Sequence, residues 1–168
     1  MTEQSRLWSP WRMDYIRSPK EEGCVFCQKS KSDQNRDNLV LLKGVDSFVL
    51  MNLYPYNNSH LLIAPYDHVD TTLELLPQVL NEMMYLVNES MRIIKMTMNA
   101  EGFNFGANIG AIGGAGIKDH VHFHIVPRWL GDTNFMPVIG HTKVMVEGLL
   151  ETYDELKPYF DKTKLIGD

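Results

Sequence analysis

Polar and apolar positions alternate most clearly between residues 119 and 129, where the chain reads DHVHFHIVPRW. Successive side chains of a β-strand point to opposite faces, so the three histidines would share one face and the apolar residues the other. Valine, phenylalanine and isoleucine favour strands, and a proline such as Pro127 is typical of a strand end. The pattern predicts a strand with three aligned imidazoles, those of His120, His122 and His124.

Three other short apolar runs lie upstream, LVLLK, SFVLMN and SHLLIAPY, separated by turn-prone residues. They predict consecutive antiparallel strands, and GFNFGANIG predicts another strand that leads into a glycine-rich loop. Together with the histidine strand, these runs predict one sheet of about five strands.

Apolar residues recur at helical spacing from about Leu73 to Asn99, at positions 76, 80, 83, 84, 87, 91 and 94. This spacing predicts one long amphipathic helix whose methionines fill the core. The stretch TKVMVEGLLETYDELKPYF predicts a last helix. One antiparallel sheet with two main helices is an α+β architecture.

The length of 168 residues fits a single domain, with residues 1–23 as an arm that packs on it through Trp8 and Trp11. The chain starts without a basic and apolar leader, and no apolar run approaches the roughly 18 residues of a membrane span. We therefore expect a cytoplasmic protein without membrane contact. The net charge of -5 makes duplex nucleic acid a poor partner, and an anionic small ligand would need local donors.

Spacing along a strand limits what the three histidines can do together. His120 and His124 would stand about 13 Å apart, too far to share one metal ion, whereas neighbours about 6.6 Å apart can converge as a pair. A metal therefore explains at most two of the three imidazoles. The alternative is an ordinary solvated polar face.

The two cysteines, Cys24 and Cys27, form a C-x-x-C pair in GCVFCQKS. In a reducing compartment a structural disulfide is not expected. A redox pair, half of a zinc site and chance spacing all remain open from the motif alone.

The loop before the histidines, GAIGGAGIKD, contains Gly110, Gly113, Gly114 and Gly116. Glycines permit close approach, and successive backbone N–H groups in such turns can form an anion-binding concavity, although a plain hairpin connection has the same composition. Beside it, a neutral imidazole is a good nucleophile toward phosphorus, and two further histidines can position it or handle protons. The combination predicts nucleotidyl transfer through a phosphoramidate.

The motif HVHFHIV resembles the signature of the histidine triad superfamily of nucleotide hydrolases and transferases. The segments SFVLMNLYPYNNSHLLIAPYDHV and NIGAIGGAGIKDH resemble the family's upstream strand pair and phosphate loop. LWSPWRMDYI, GCVFC and VPRWLGDTNFMPVIG are similar to a bacterial branch that contains diadenosine polyphosphate phosphorylases. The resemblance implies the corresponding α+β fold and a two-fold homodimer.

The resemblance also implies roles for individual residues. His122 matches the nucleophile, and His120 and His124 match its partners. Asn108 and the glycine loop match the phosphate-binding segment, and Asn52 matches a ribose contact. His60 matches a histidine behind the triad, for which a structural role is an equal alternative, while His141 matches nothing and is expected at the surface.

Zinc is implied by a further resemblance, to galactose-1-phosphate uridylyltransferases of the same superfamily. Their zinc site corresponds here to Cys24, Cys27, His68 and His120, a set that suits tetrahedral zinc in a closed structural site. His124 stands where those transferases have glutamine, which argues against hexose-phosphate transfer.

The acceptor is predicted from a departure within the loop. Hydrolases of the fragile-histidine-triad branch have glutamine four residues before the first triad histidine, where this chain has Gly116, and the loop here is one residue longer. We therefore expect inorganic phosphate to be the acceptor in cleavage of dinucleoside polyphosphates. The alternatives are hydrolysis of such nucleotides or of phosphoramidates, a nucleotide-sensing module with little turnover, and a hydrolase that uses the triad to bind zinc.

Overall fold

The computed structural model describes residues 23–132 and 147–165. Within them lie helix α1 (Val25–Lys31), strands β1 (Val40–Lys43), β2 (Ser47–Met51) and β3 (Leu61–Pro65), and a 3-10 turn (Thr72–Glu74). Helix α2 (Pro77–Met98), strands β4 (Gly102–Ala107) and β5 (Phe123–Arg128) and helix α3 (Leu149–Phe160) follow. Most of the predicted arm, with Trp8 and Trp11, lies outside the described residues, as does His141.

The five strands form one antiparallel sheet in the order β1-β2-β3-β5-β4. Strands β1, β2 and β3 are consecutive neighbours, as their turn-separated apolar runs predict, and β5 is inserted between β3 and β4. In this register Leu62 lies opposite His124, and Gly106 lies opposite the same histidine from the other side. The α+β prediction is confirmed.

Helix α2 covers one face of the sheet and starts later than the apolar pattern predicts. Proline at its first position fixes the start at Pro77, because the ring has no N–H to donate and its φ suits a first turn. Its buried side includes Val79, Met83 and Val87, whereas Leu76 is 57% exposed and Met84 is 40% exposed. The prediction that the methionines fill the core therefore holds for Met83 and is wrong for Met84.

A buried carboxylate joins α2 to the β1–β2 turn. Glu82 accepts hydrogen bonds from the backbone N–H groups of Val45 (2.6 Å) and Asp46 (2.7 Å) and from the hydroxyl of Ser47 (2.7 Å). A Cβ at Gly44 would lie 2.7 Å from the Glu82 carboxylate, so the turn requires glycine there. Burial, with the Glu82 charge, also raises the pKa of Tyr66 to about 12.

Helix α1 contributes Phe26 to a second apolar cluster, which the strand patterns do not predict. Phe26 packs there with Val40, Phe48, Leu50, Leu62 and Ala64. The strand residues of this cluster alternate with those that face α2, so α1 and α2 cover opposite faces of the sheet. None of the described helices combines the length and apolarity that crossing a bilayer requires.

Candidate active site and metal centre

The three histidines occupy different backbone environments. Strand β5 begins at Phe123, so His124 lies in the strand, whereas His120 and His122 precede it. The backbone N–H of Val121 bonds to the carbonyl of Val69 (2.7 Å), outside the β3–β5 ladder, which ends at the Ile63–Phe123 pair. The prediction of one strand that carries all three aligned imidazoles is therefore wrong at its start, because His120 and His122 precede the strand.

The end of the strand also differs from the prediction. Pro127 lies inside β5, opposite Phe103, and the strand continues to Arg128. Proline is tolerated in this inner strand because at this end the ladder with β3 stops at the Leu61–Ile125 pair, so no β3 carbonyl requires an N–H at Pro127.

His122 is buried, with 4% of its surface exposed. Its Nδ1 lies 2.9 Å from the carbonyl oxygen of His120. Because a carbonyl can only accept, Nδ1 carries the proton and Nε2 keeps a lone pair. Burial lowers the pKa of His122, which favours this neutral imidazole. An exposed imidazole, as the strand pattern suggests, is not what the structure has.

His60 and His124 are joined by a hydrogen bond whose direction can be assigned. The Tyr56 backbone N–H donates to His60 Nδ1 (3.0 Å), so the His60 proton lies on Nε2. That Nε2 lies 3.0 Å from His124 Nδ1 and donates to it. In its neutral form His124 therefore carries its proton on Nε2. The His124 and His122 ring centroids are 4.8 Å apart.

Asn52 strengthens this assignment. Its Oδ1 accepts from the Tyr54 backbone N–H (3.0 Å), which orients the amide so that Nδ2 points to His60 Nδ1 (3.3 Å). Two donors thus face one nitrogen of His60, which excludes a proton there. The side chain predicted to contact ribose also holds His60 in one tautomer.

His120 turns away from this arrangement toward the cysteines. Its Nε2 lies 3.0 Å from the Pro65 carbonyl and must donate to it, which leaves Nδ1 as a ligand atom. That Nδ1 lies 3.3 Å from Cys24 Sγ, 3.7 Å from Cys27 Sγ and 3.3 Å from His68 Nδ1. Both nitrogens of His120 are therefore engaged, Nε2 by the Pro65 carbonyl and Nδ1 on the side of the cysteines.

The four residues predicted as zinc ligands lie together. Their ligand atoms are all within 4.8 Å of one another. Tetrahedral zinc with Zn–S of about 2.3 Å and Zn–N of about 2.0 Å spaces its ligand atoms about 3.3–3.8 Å apart. Four of the pairs here are 3.3–3.7 Å apart. The bond from His120 to Pro65 is the backbone contact that metal-binding histidines commonly make. Burial and the neighbouring Cys24 raise the pKa of the Cys27 thiol, an effect that a bound cation would oppose.

The glycine-rich loop is a tight, exposed hairpin connection. Gly110 and Gly114 have positive φ (72° and 86°), and a Cβ at Gly113 would lie 2.2 Å from the Ile109 carbonyl oxygen. These three positions need glycine for the turn itself. At Gly116 a Cβ would meet nothing within 4 Å, so the backbone does not require glycine there.

Hydrogen bonds among Asn57, Arg128 and Asp132 hold the loop that carries His60. The amide of Asn57 donates to the Pro127 carbonyl and to the Asp132 carboxylate, both at 2.9 Å. Arg128 binds the same carboxylate through two nitrogens, at 2.6 and 2.9 Å. The loop before β3 is thereby fixed to the end of β5.

Sequence reasoning missed Phe26, Tyr56 and Asn57. Tyr56 acts through its backbone N–H, which leaves no trace in a sequence. Phe26 lies between the two cysteines, and a large apolar residue inside a C-x-x-C pair was the available signal.

Comparison with known proteins identifies the family. The HIT domain model matches residues 33–129, more than half of the chain. The chain belongs to the HIT family. It is 35% identical over 155 residues to an AP-4-A phosphorylase of Mycobacterium tuberculosis, with 88% of this chain and 80% of that protein covered.

Two further proteins are similar to this chain, one in sequence and one in fold. An adenosine 5'-monophosphoramidase of Candida albicans, HNT1, is 26% identical over 62% of this chain and 70% of its own length. A Zn-bound histidine triad family protein from Mycobacterium smegmatis superposes with a TM-score of 0.68 at 20% identity, covering 83% of this chain and 94% of that one. At this identity the superposition shows the shared fold.

Proposed function

We propose that this protein cleaves dinucleoside polyphosphates of the diadenosine tetraphosphate type and transfers the nucleotidyl group through His122 to inorganic phosphate. The observation that carries the proposal is the bond from His122 Nδ1 to the His120 carbonyl, which leaves Nε2 as the nucleophilic atom. The similarity to an AP-4-A phosphorylase over most of the chain supports the choice of substrate.

In the first step, the Nε2 lone pair attacks the phosphorus next to a nucleoside. An N–P bond forms, and the P–O bond to the remaining polyphosphate breaks, so that a nucleoside triphosphate leaves from the tetraphosphate substrate. An N–H of His124, which lies beside His122, would bind a phosphoryl oxygen as negative charge accumulates. His60 would keep His124 in the donor form.

In the second step, an oxygen of inorganic phosphate attacks the same phosphorus and the N–P bond breaks. The product is a nucleoside diphosphate, and His122 returns to its neutral form. Asn108 and backbone N–H groups of the glycine-rich loop, from Gly110 to Gly116, would bind the phosphates. The open space at Gly116 would admit the acceptor anion.

Zinc would be bound by Cys24, Cys27, His68 and His120 and would act structurally, since four protein ligands complete a tetrahedral site. When bound, it supplies folding free energy and charge neutralisation of the thiolates. The Zn-bound relative from Mycobacterium smegmatis supports this choice of metal. Because both nitrogens of His120 are engaged, its part in catalysis is to hold His122 through its carbonyl.

We also propose a homodimer and a cytoplasmic location. Strand β4 is an edge of the sheet, its sequence GFNFGA has no charged residue, and Phe105 is 45% exposed. Uncharged edge strands of this length are templates for pairing with a second chain. Cys24 and Cys27 form no disulfide with each other, in keeping with a reducing compartment.

The proposal is tested by incubating the protein with diadenosine tetraphosphate, with and without inorganic phosphate, and separating the products. Phosphorolysis gives ADP and ATP only when phosphate is present. AMP and ATP without phosphate would identify a hydrolase instead. Binding without any product, in this assay and with adenosine phosphoramidate, would identify a sensing module.

A further inference from the structure

We propose that Phe26 is a positioning residue for His122, and that the metal centre holds it in place through helix α1. The Phe26 ring centroid lies 4.7 Å from that of His122, with an angle of 41° between the ring planes. Phe26 is also 5.1 Å from the ring of His120 and is 1% exposed. It is the point where the metal centre and the nucleophile touch the same side chain.

The helix that carries Phe26 has little stability of its own. Helix α1 spans seven residues, far fewer than the roughly 12 to 15 that an isolated helix needs. No side chain caps its start at Cys24. Cys24 and Cys27 flank Phe26 on both sides, so ligation of the two sulfurs would fix the turn that directs the phenylalanine inward.

His122 needs such a contact because, among the described residues, the bond to the His120 carbonyl is what sets its tautomer and orientation. Rotation of the imidazole about its Cβ–Cγ bond would move Nδ1 away from the His120 carbonyl and displace Nε2 from the phosphorus. Packing of a rigid ring against the imidazole opposes this rotation. Misplacement of a reacting atom by about 1 Å can cost up to about 100-fold in rate.

The inference rests on the proposed role of His122 and concerns turnover more than binding. Removal of Phe26 should lower kcat and leave KM nearly unchanged, since the ring is buried beneath the histidines and away from solvent. If Phe26 were only structural, its removal would lower the free energy of unfolding but would not lower kcat selectively.

The chain offers a matched control in Phe48. It is fully buried in the same cluster, but its ring contacts are with Phe26 (6.5 Å) and Tyr66 (5.6 Å). We expect Phe26→Leu to lower kcat about tenfold and Phe48→Leu to change it by less than about twofold, both with KM nearly unchanged. Equal losses in the two variants would overturn the proposal, as would a Phe26→Leu effect confined to KM.

A spectroscopic readout separates positioning from stability. In ¹H–¹⁵N spectra of the histidine rings, wild-type and Phe48→Leu proteins should show the Nδ1–H tautomer of His122, and Phe26→Leu should show a mixture. An unchanged His122 tautomer and line width in Phe26→Leu would contradict the proposal. His122→Ala tests the proposed function separately. Retained turnover in that variant would show that His122 is not the nucleophile, whereas the effect of Phe26→Leu on the His122 tautomer would still stand.

The link to the metal is tested by hydrogen exchange of the zinc-loaded and chelator-treated protein. Stripping zinc should speed exchange of the α1 amides, including the Gln28 N–H that bonds to the Cys24 carbonyl at 3.0 Å. It should also lower kcat in the wild type and have little further effect in Phe26→Leu. Unchanged protection of α1, additive losses of kcat, or purified protein without zinc would overturn the metal part of the inference.

Discussion

The first and the middle histidine of the triad, His120 and His122, have their ring nitrogens engaged in different ways. At His120, Nε2 faces a backbone carbonyl and Nδ1 faces two sulfurs and His68, so both ring nitrogens have a partner. At His122, the Nδ1 nitrogen is held by the His120 carbonyl and Nε2 keeps its lone pair. Two imidazoles two residues apart thus differ in their bonding, which fits the proposed roles of His120 in structure and of His122 in reaction.

The backbone at His120 connects these two histidines. The carbonyl of His120, a residue of the metal centre, fixes the proton of His122. If His122 is the nucleophile, as proposed, this carbonyl would let the predicted zinc site affect catalysis without contacting substrate. The comparison predicts that variants at His122 and its partners lose rate, whereas variants at the predicted zinc ligands lose stability first.

The largest expected effect is at His122. We expect His122→Ala to lower turnover by about a thousandfold or more, because the covalent path is lost. The residue is buried beside Phe26, so the variant should also lose about 1–2 kcal/mol of unfolding free energy, measurable by thermal and urea denaturation. Near-normal turnover in a folded His122→Ala protein would contradict the proposed role of His122 as the nucleophile.

A smaller loss is expected at His60. His60→Leu removes the donor to His124 while keeping an apolar side chain in a buried position, and we expect kcat to fall about 10- to 100-fold. Steady-state kinetics with saturating phosphate measures the effect. Asn52→Ala, which removes only one of the two donors to His60, is the milder companion and should retain more activity. The opposite order of the two variants would show that Asn52 acts chiefly on the nucleotide.

Cys27→Ser should have the smallest effect on rate and the largest on stability. The serine oxygen is a poor zinc ligand, so metal content should fall and unfolding free energy should drop by several kcal/mol. With the folded fraction held constant, we expect kcat to fall by about tenfold or less. Elemental analysis and denaturation curves measure both quantities. A loss of kcat as large as that of His122→Ala, in folded protein, would make the metal a participant in the chemistry.

The sequence predicts those parts of the fold that local patterns encode. Turn residues separate β1, β2 and β3 cleanly, and the 3.6-residue period reveals α2. The start of α2 is missed because apolar residues continue upstream of Pro77, and Met84 is misplaced because the helix face is set by tertiary contacts of Val79 and Met83. A period cannot tell which edge of an apolar stripe meets the sheet.

The same limit applies to the site. The grouping of Cys24, Cys27, His68 and His120 follows from resemblance to a known zinc site, and the structure brings these residues together. The burial of His122 and its contact with Phe26 depend on how α1 folds over the sheet, which no local pattern encodes. The different partners of the three triad histidines likewise become visible only from the hydrogen bonds of each ring nitrogen.

The most direct test of the account is a search for the covalent intermediate. Protein mixed briefly with diadenosine tetraphosphate without phosphate, then quenched in alkali, is analysed by intact mass and peptide mapping. We predict a mass increase of one adenylyl group on His122, stable in base and lost in acid, which disappears when phosphate is added and yields ADP. Turnover without an adduct on His122, or an adduct on His124 instead, would contradict the account.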